Sequence, residues 1–222
     1  MKIFGKVVGI QGETITLEVD DASAIRRILT LSDGSQPTLE VNIRDEREIS
    51  PEQRKFIYAL IRDIALWSGH FPDEIKNYAK FEFEEITELE ISLSNCSREE
   101  ATEFINYLLK FVLTNQVPLP KGIKILDENM TYYLYLCLIN RTCAVCGKSG
   151  ADIDHFNEAV GMGRNRRTID QSQMTFCALC RTHHQERHQI GARAFSDKYH
   201  VDGIRLNSEK RKKLGLVGKN EI

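Results

Sequence analysis

The sequence predicts an α+β protein built in two parts. Alternating β-branched residues near the N-terminus indicate strands, and apolar residues at helical spacing between residues 50 and 140 indicate helices. Cysteine and histidine then concentrate in residues 143–188, which contain four of the six cysteines and four of the six histidines. We predict an α+β domain over residues 1–128 and a small domain stabilised by metal over residues 129–222.

The composition is that of a globular protein without a membrane span. Of the 222 residues, 41% are hydrophobic and 28% are charged, which is ordinary for such proteins. The longest apolar run, residues 130–139, is too short to cross a bilayer, and the N-terminus lacks the apolar core of a secretory signal. We therefore expect no membrane association and a cytoplasmic location, where clustered cysteines indicate metal binding rather than disulfides.

Charge is distributed unevenly along the chain. Residues 1–140 contain 15 Lys and Arg against 23 Asp and Glu, a net charge of −8, whereas residues 141–222 contain 15 against 9, a net charge of +6. A basic C-terminal part suits a polyanion such as nucleic acid, although a solvated basic surface explains the charge equally well. Residues 208–213 read SEKRKK and predict a mobile tail that adds nonspecific affinity for DNA.

The N-terminal elements are predicted from alternation and from turn residues. Residues 2–19 alternate, with a break at Gln11 and Gly12, which predicts a β-hairpin. Residues 22–31 predict a short helix that ends in a turn-rich segment. Residues 38–43 alternate again and predict a further strand.

The next predicted elements are amphipathic helices. Capping boxes begin two of them, at Ser50 and at Ser97, because a glutamine or a glutamate follows three residues later. Apolar residues at helical spacing continue each helix. The predicted helices cover residues 51–69, 72–81, 99–114 and 130–140, and residues 87–93 predict a strand or an extended connection.

Residues 43–69 read IRDEREISPEQRKFIYALIRDIALWSG, and two later segments read ISLSNCSREEATEFINYLLKF and QVPLP. These segments resemble the phage lambda Orf (NinB) family of recombination mediators, and the resemblance covers roughly residues 38–120. It implies a homodimeric module that binds single-stranded DNA and cooperates with single-strand-binding protein. Arg54 and Lys55 are then candidate DNA-binding residues, with Arg62 at helical spacing from them. An α+β scaffold without DNA contacts is the alternative, because this half of the chain is acidic.

The cysteines and one histidine are spaced for a structural metal site. Cys143 and Cys146 are separated by two residues and followed by glycine, so their thiolates can converge on one tetrahedral Zn²⁺. The second half of the site comes from Cys177, Cys180 and His183. The spacing leaves two ligand sets, in which either Cys177 or His183 joins the other three cysteines.

Asp154 and His155 lie between these halves, after a β-prone segment. On a strand, neighbouring side chains point to opposite faces, so one metal ion does not simply bind both. A division of roles is more natural, in which Asp154 binds a metal ion and His155 acts on a water molecule.

Residues 181–190 predict a helix that can serve two sites. His184 and His188 lie four residues apart and share a face. His183 points about 100° away from His184, so zinc can take His183 while a second metal ion takes His184.

Together, CxxC, Asp-His and LCxxHH resemble the HNH endonuclease family and its ββα-metal fold, over about residues 141–190. The segments GMGRNR and LCRTHHQERHQIG look like HNH modules carried by phages of Gram-positive hosts, whose setting is the bacterial host cytoplasm. The resemblance implies that His155 is the general base, and that Asp154 and His184 bind a catalytic Mg²⁺ or Mn²⁺. It also implies a structural zinc bound by Cys143, Cys146, Cys180 and His183.

One position departs from the pattern of that family. The asparagine that normally stands five residues before the cysteine of the LC pair is Thr175 here. Asn165 is nearby in sequence but falls in a glycine-punctuated loop, and His188 can complete the metal site instead. The same loop supplies candidate phosphate contacts in Arg164, Arg166 and Arg167.

These observations predict an HNH endonuclease that hydrolyses DNA phosphodiester bonds and is coupled to a recombination module that binds single-stranded DNA. Single-stranded or branched DNA is the expected substrate. The alternative is a non-catalytic recombination mediator whose zinc module only binds DNA or protein partners. Thr175 is the residue that keeps this alternative open.

Overall fold

The computed structural model describes residues 5–19, 22–31, 35, 47–120, 123–157 and 171–216. The chain forms two compact units, residues 1–44 and residues 45–222. Helices combine with small antiparallel sheets, which confirms the predicted α+β class. None of the described helices is long and apolar enough to cross a membrane.

The first unit begins with a β-hairpin, as predicted. Strand β1 (Gly5–Gln11) pairs antiparallel with β2 (Thr14–Val19), and Gly12 and Glu13 form the turn between them. Gly12 has φ +56°, a left-handed conformation that glycine adopts without a steric cost. The turn therefore lies one residue later than predicted.

A helix follows the hairpin within the same unit. Helix α1 (Ala22–Leu31) has the predicted bounds, and the Thr30 hydroxyl donates to the Arg26 carbonyl at 2.9 Å. The strand predicted at residues 38–43 lies outside the described residues.

Four helices form the first part of the second unit. Both predicted capping boxes are present. The Ser50 and Ser97 hydroxyls each accept a hydrogen bond from the backbone N–H of the third helical residue, and the side chain of that residue accepts a hydrogen bond from the backbone N–H of the serine. The two capped helices pack against each other, and the second of them packs against the fourth. The helices are α2 (Pro51–Ser68), α3 (Pro72–Thr87), α4 (Arg98–Thr114) and α5 (Asp127–Asn140).

Helix α3 is longer than the sequence predicts. It continues beyond residue 81 because Ala79 and Phe83 keep the helical spacing of buried residues, and the Phe83 ring meets the Phe104 ring edge-on at 5.2 Å. Glu88 ends the helix in a left-handed conformation, with φ +57°. Residues 88–96 contain turns and irregular backbone, so the connection predicted there is correct and the strand is not.

Gln53 joins the starts of α2 and α4 from a buried position. Its backbone N–H donates to the Ser50 hydroxyl at 3.1 Å, and its side-chain oxygen accepts from the Ser50 N–H at 3.0 Å. The side-chain amide then donates to the Arg98 carbonyl and to the Thr102 hydroxyl, both at 3.0 Å. One side chain thus completes a cap and fixes the spacing of two helices.

Helix α5 connects the helical part to a three-stranded antiparallel sheet. The sheet contains β3 (Asp152–His155), β4 (Thr175–Leu179) in the centre and β5 (Ile204–Arg205). Helix α5 packs against both α4 and β4, and the boundary predicted between residues 128 and 129 lies in its first turn. The apolar core continues from α2 to the sheet.

Three further helices are present in the described part of the second unit. Helix α6 (Arg181–Ile190) has the predicted bounds and follows β4 directly after Cys180. Strands β3 and β4 pair antiparallel, and α6 follows β4 along the chain. The other two helices are α7 (Ala192–Tyr199) and α8 (Ser208–Lys213).

The prediction of a mobile tail at residues 208–213 is wrong. The Asn207 side chain caps α8 by accepting from the Lys210 N–H at 2.9 Å. Arg211 is buried and donates to the Leu206 carbonyl at 2.8 Å. A run of charged residues predicts a solvated segment, but the fold buries Arg211 and provides a carbonyl oxygen that accepts its hydrogen bond.

We expect Gln53→Leu to lower the free energy of unfolding by about 1–3 kcal/mol, because a buried cap and a link between helices are lost while the polar groups they served stay buried. Urea denaturation followed by circular dichroism measures this change. Glu103→Leu, at an exposed position of α4, is the control and should change stability by about 0.5 kcal/mol or less. Equal losses in the two variants would contradict the role of Gln53.

Candidate metal centres and active site

Four side chains converge at the start of α6. The Nδ1 atom of His183 lies 3.4 Å from Cys143 Sγ and 3.3 Å from Cys180 Sγ, and the sulfurs of Cys146 and Cys180 are 3.8 Å apart. All four ligand atoms lie within 4.8 Å of one another. A tetrahedral zinc site with metal–sulfur bonds of about 2.3 Å has sulfur–sulfur edges of about 3.8 Å. The spacing of these donors therefore fits a metal ion such as zinc.

Two local structures position these donors. The knuckle at Cys143 is closed by a hydrogen bond from the Gly147 N–H to the Cys143 carbonyl at 2.9 Å, with Gly147 at φ +69°. The Ala144 N–H donates to the Ala178 carbonyl at 2.9 Å, which ties the knuckle to β4. Cys180 is the N-cap residue of α6, so His183 follows within the first turn of that helix.

The surroundings shift the pKa values of the side chains in this cluster in different directions. Burial raises the pKa of Cys143 to about 12, so the neutral thiol is favoured in the absence of a bound cation. Burial also opposes ionisation of Cys180, but hydrogen bonds from the His183 backbone and from the Cys143 and Cys146 side chains outweigh it and lower the pKa of Cys180. Burial lowers the pKa of His183, which favours the neutral imidazole that binds metal.

Helix α7 supports the candidate ligand His183. The Tyr199 ring contacts the His183 ring edge-on, with centroids 5.3 Å apart. The Tyr199 hydroxyl donates to Glu186 at 2.8 Å, and Lys198 donates to the same carboxylate at 2.5 Å. This network holds α6 and α7 together beside the cluster.

Cys177 lies inside β4 rather than among the four donors. It is fully buried and pairs across the sheet with Asp154. Burial raises the pKa of Cys177 well above its ordinary value, as expected for a packed thiol. Of the two ligand sets that the spacing allows, the one that converges contains His183.

A second group of donors forms between β3 and α6. The Oδ1 atom of Asp154 lies 3.0 Å from His184 Nε2 and 4.0 Å from His188 Nε2, and the two imidazole Nε2 atoms are 3.2 Å apart. Burial, followed by the charge of Arg187, lowers the pKa of His188 and favours its neutral form. One carboxylate oxygen and two imidazole nitrogens can therefore bind one cation.

Exposure increases across this second group. The Asp154 side chain is 3% exposed, His184 is 23% exposed and His188 is 54% exposed. A substrate can therefore approach the donors from the side of His188.

His155 points to the other face of β3, as strand alternation requires. Its Nε2 atom lies 3.3 Å from the side-chain oxygen of Gln171, and its ring packs on Phe176 with centroids 5.2 Å apart. Gln171 is buried and was not predicted from the sequence, where nothing sets it apart from other polar loop residues. It orients the candidate base.

Sequence reasoning also missed Arg187. This buried arginine donates from Nε to Asp154 Oδ2 at 2.6 Å and from its terminal NH2 group to Asp154 Oδ1. Its position, three residues after His184, was the available signal, because side chains at that spacing share a helix face.

Thr175, the departure from the family pattern, lies at the start of β4. Its hydroxyl accepts from the Asn157 N–H at 3.3 Å, and its carbonyl accepts from the Phe156 N–H at 2.9 Å. It thus joins the ends of two strands, while His188 stands with Asp154 and His184 as the third donor. The segment that contains Asn165, Arg164, Arg166 and Arg167 lies outside the described residues.

The candidate DNA-binding residues of α2 occupy different surroundings. Arg54 donates from Nε to the Leu93 carbonyl and from its terminal nitrogen to the Ser94 carbonyl, both at 3.0 Å. Lys55 is exposed. Arg54 therefore fixes the loop before α4, and Lys55 is available to a ligand.

We expect purified protein to contain about one equivalent of a metal such as zinc, and Cys180→Ser to lose it because one of four donors is weakened. Mass spectrometry of the metal content measures this. Cys177→Ser is the matched control, since Cys177 is a buried cysteine of the same segment, and it should retain the metal. Loss of metal from Cys177→Ser alone would contradict the proposed ligand set.

Comparison with known proteins places the chain in a family. A family model described as "Putative HNHc nuclease" matches residues 17–217 of the 222 residues. The chain has no significant match among curated proteins or among solved structures. The predicted resemblance to HNH nucleases is confirmed at the level of the family, and the resemblance to the Orf (NinB) family stays a prediction. With nine-tenths of its length matched, this chain belongs to the HNHc nuclease family.

Proposed function

We propose that this protein is a metal-dependent endonuclease that hydrolyses DNA phosphodiester bonds. The observation that carries the proposal is the convergence of Asp154, His184 and His188, with His155 as the residue after Asp154 on β3. A carboxylate and two imidazoles suit a divalent cation, and a histidine on the next residue of the strand suits a general base. Membership of the HNHc nuclease family supports the same chemistry.

The two groups of donors suit different cations. Thiolates with one imidazole favour Zn²⁺ in a closed tetrahedral site, which stabilises structure. For the group at Asp154, the proposal is Mg²⁺ or Mn²⁺, because a carboxylate oxygen faces partly exposed imidazoles and leaves positions open to water and phosphate.

His155 is proposed to take a proton from the attacking water. His155 Nε2 lies 3.3 Å from the Gln171 side-chain oxygen, which accepts hydrogen bonds, and the tautomer proposed has the proton on Nε2 and the lone pair on Nδ1. A divalent cation bound by Asp154, His184 and His188 would supply positive charge to the phosphate and to the leaving oxygen. The arginines at positions 164, 166 and 167 are proposed to contact DNA phosphates, in keeping with the net charge of +6 over residues 141–222.

We expect the full-length protein to nick or cut DNA with added Mg²⁺ or Mn²⁺. His155→Ala should reduce the rate by about 100-fold or more, because a general base contributes roughly 10²–10⁴-fold. Agarose gels of plasmid cleavage measure the rate, and a gel shift should give unchanged DNA affinity. Wild-type activity in this variant would remove His155 from the mechanism. DNA binding without cutting by the wild type would favour the non-catalytic mediator.

A single-stranded-DNA-binding role is proposed for the helical part. Lys55, Tyr58 and Arg62 lie on exposed positions of α2 at helical spacing. Tyr58 is 47% exposed, and an aromatic ring flanked by cations can stack on a base beside its phosphates. The homodimer, the cooperation with single-strand-binding protein and the role in recombination are further proposals, which rest on the Orf (NinB) resemblance.

We expect Tyr58→Ala to weaken binding of a single-stranded oligonucleotide by about 1–3 kcal/mol, the usual worth of one base stacked on an aromatic ring. Fluorescence anisotropy with full-length protein that also carries His155→Ala measures this without cutting. Tyr78→Ala, on α3, is the matched control because Tyr78 is 57% exposed. Equal affinity of the two variants would exclude α2 as the binding face.

A further inference from the structure

Arg187 contacts both oxygens of Asp154 from inside the protein. Its Nε donates to Oδ2 at 2.6 Å, and its terminal NH2 group donates to Oδ1. The arginine side chain is 8% exposed and the aspartate side chain is 3% exposed. A guanidinium this deeply buried does not reach a DNA phosphate, so any effect on the reaction passes through the residues that Arg187 contacts, of which Asp154 is bound at two points.

The two contacts fix the orientation of the Asp154 carboxylate. Rotation about the last side-chain bond of aspartate has broad minima, so one hydrogen bond does not fix it. The planar guanidinium binds at two points and does fix it. With Oδ2 on Arg187 Nε, Oδ1 is the oxygen that faces His184 at 3.0 Å.

Arg187 also joins the elements that carry the other site residues. Its NH2 group lies 3.1 Å from His188 Nε2 and 3.4 Å from the His155 carbonyl oxygen. Strand β3 and helix α6 are therefore connected at the site by one side chain. Lysine at this position would keep the charge but not the planar two-point contact.

We propose that Arg187 is a positioning residue, which orients the Asp154 carboxylate so that Oδ1 binds a divalent cation together with His184 and His188. This inference rests on the proposed function for the role of the site. Residues that donate hydrogen bonds to metal ligands commonly orient those ligands, and the inference gives this role to a buried arginine. Loss of such a residue weakens metal binding by about 10–100-fold.

The test compares Arg187→Lys with Arg181→Lys in full-length protein that retains the metal of the cysteine cluster. Arg181 lies on the same helix with a side chain that is 79% exposed. Titration with Mn²⁺, followed by electron paramagnetic resonance of the free ion, gives the dissociation constant. We expect Arg187→Lys to bind Mn²⁺ about 10–100-fold more weakly and Arg181→Lys to bind like the wild type. At saturating Mn²⁺, kcat should fall for Arg187→Lys while the KM for DNA stays the same.

A measurement on the wild type covers the case in which Arg187→Lys does not fold. The arginine Nε–H signal in nitrogen-15 NMR should stay protected from exchange when Mg²⁺ is added, because the contact with Oδ2 remains. Rapid exchange of this proton with Mg²⁺ bound would overturn the proposal. So would wild-type Mn²⁺ affinity in Arg187→Lys, equal weakening in Arg181→Lys, or no Mn²⁺ binding by the wild type.

The outcomes separate this inference from the proposed function. In one outcome, the wild type binds Mn²⁺ but does not cut DNA, and both Asp154→Asn and Arg187→Lys weaken the binding. This outcome supports the role of Arg187 and rejects the nuclease. In the other outcome, the wild type cuts DNA and Arg187→Lys binds Mn²⁺ as tightly as the wild type. This outcome supports the nuclease and rejects the role of Arg187.

Discussion

The position of helix α6 is the constraint on which both candidate metal centres depend. This ten-residue helix contributes His183 to the cysteine cluster and contributes His184 and His188 to the group at Asp154. Arg187 is the one buried side chain among the described residues of this helix. Apolar packing therefore does little to hold α6, and its place is set by the Arg187–Asp154 pair, by the network with α7 and by the donors at its first turn. A shift of this helix would disturb both centres together.

Strand β4 provides the rigid support against which α6 is placed. It is the central strand of its sheet, and Phe176, Cys177, Ala178 and Leu179 are fully buried. Helix α5 covers this strand and extends the same core into the helical part. Cys137 belongs to this packing, and burial raises its pKa to about 12, so it stays a neutral thiol. A packed apolar layer thus holds the strand whose end begins the ligand-bearing helix.

Polar contacts at the site follow from burial. Asp154 is a carboxylate in the interior, where an unpaired charge would be very costly, and the guanidinium beside it offsets that cost. His188, by contrast, is more than half exposed at the mouth of the same group of donors. The site therefore combines a fixed, buried anion with an accessible edge, which suits the proposed hydrolysis of phosphodiester bonds. The position of Thr175 fits this picture, since it joins two strand ends while His188 supplies the third donor.

Local patterns in the sequence determined much of this protein. The hairpin, the capping boxes at Ser50 and Ser97, and the bounds of α6 follow from spacing over a few residues, because caps, turns and helix faces are local structures. The two sets of metal donors were also predicted, although spacing alone left Cys177 and His183 as alternatives. Only the tertiary structure favours His183, because it buries Cys177 inside β4 and brings His183 close to the other three cysteines. The same holds for Arg187, for Gln171 and for the helix at residues 208–213, whose roles come from partners distant in sequence or from burial that no local pattern encodes.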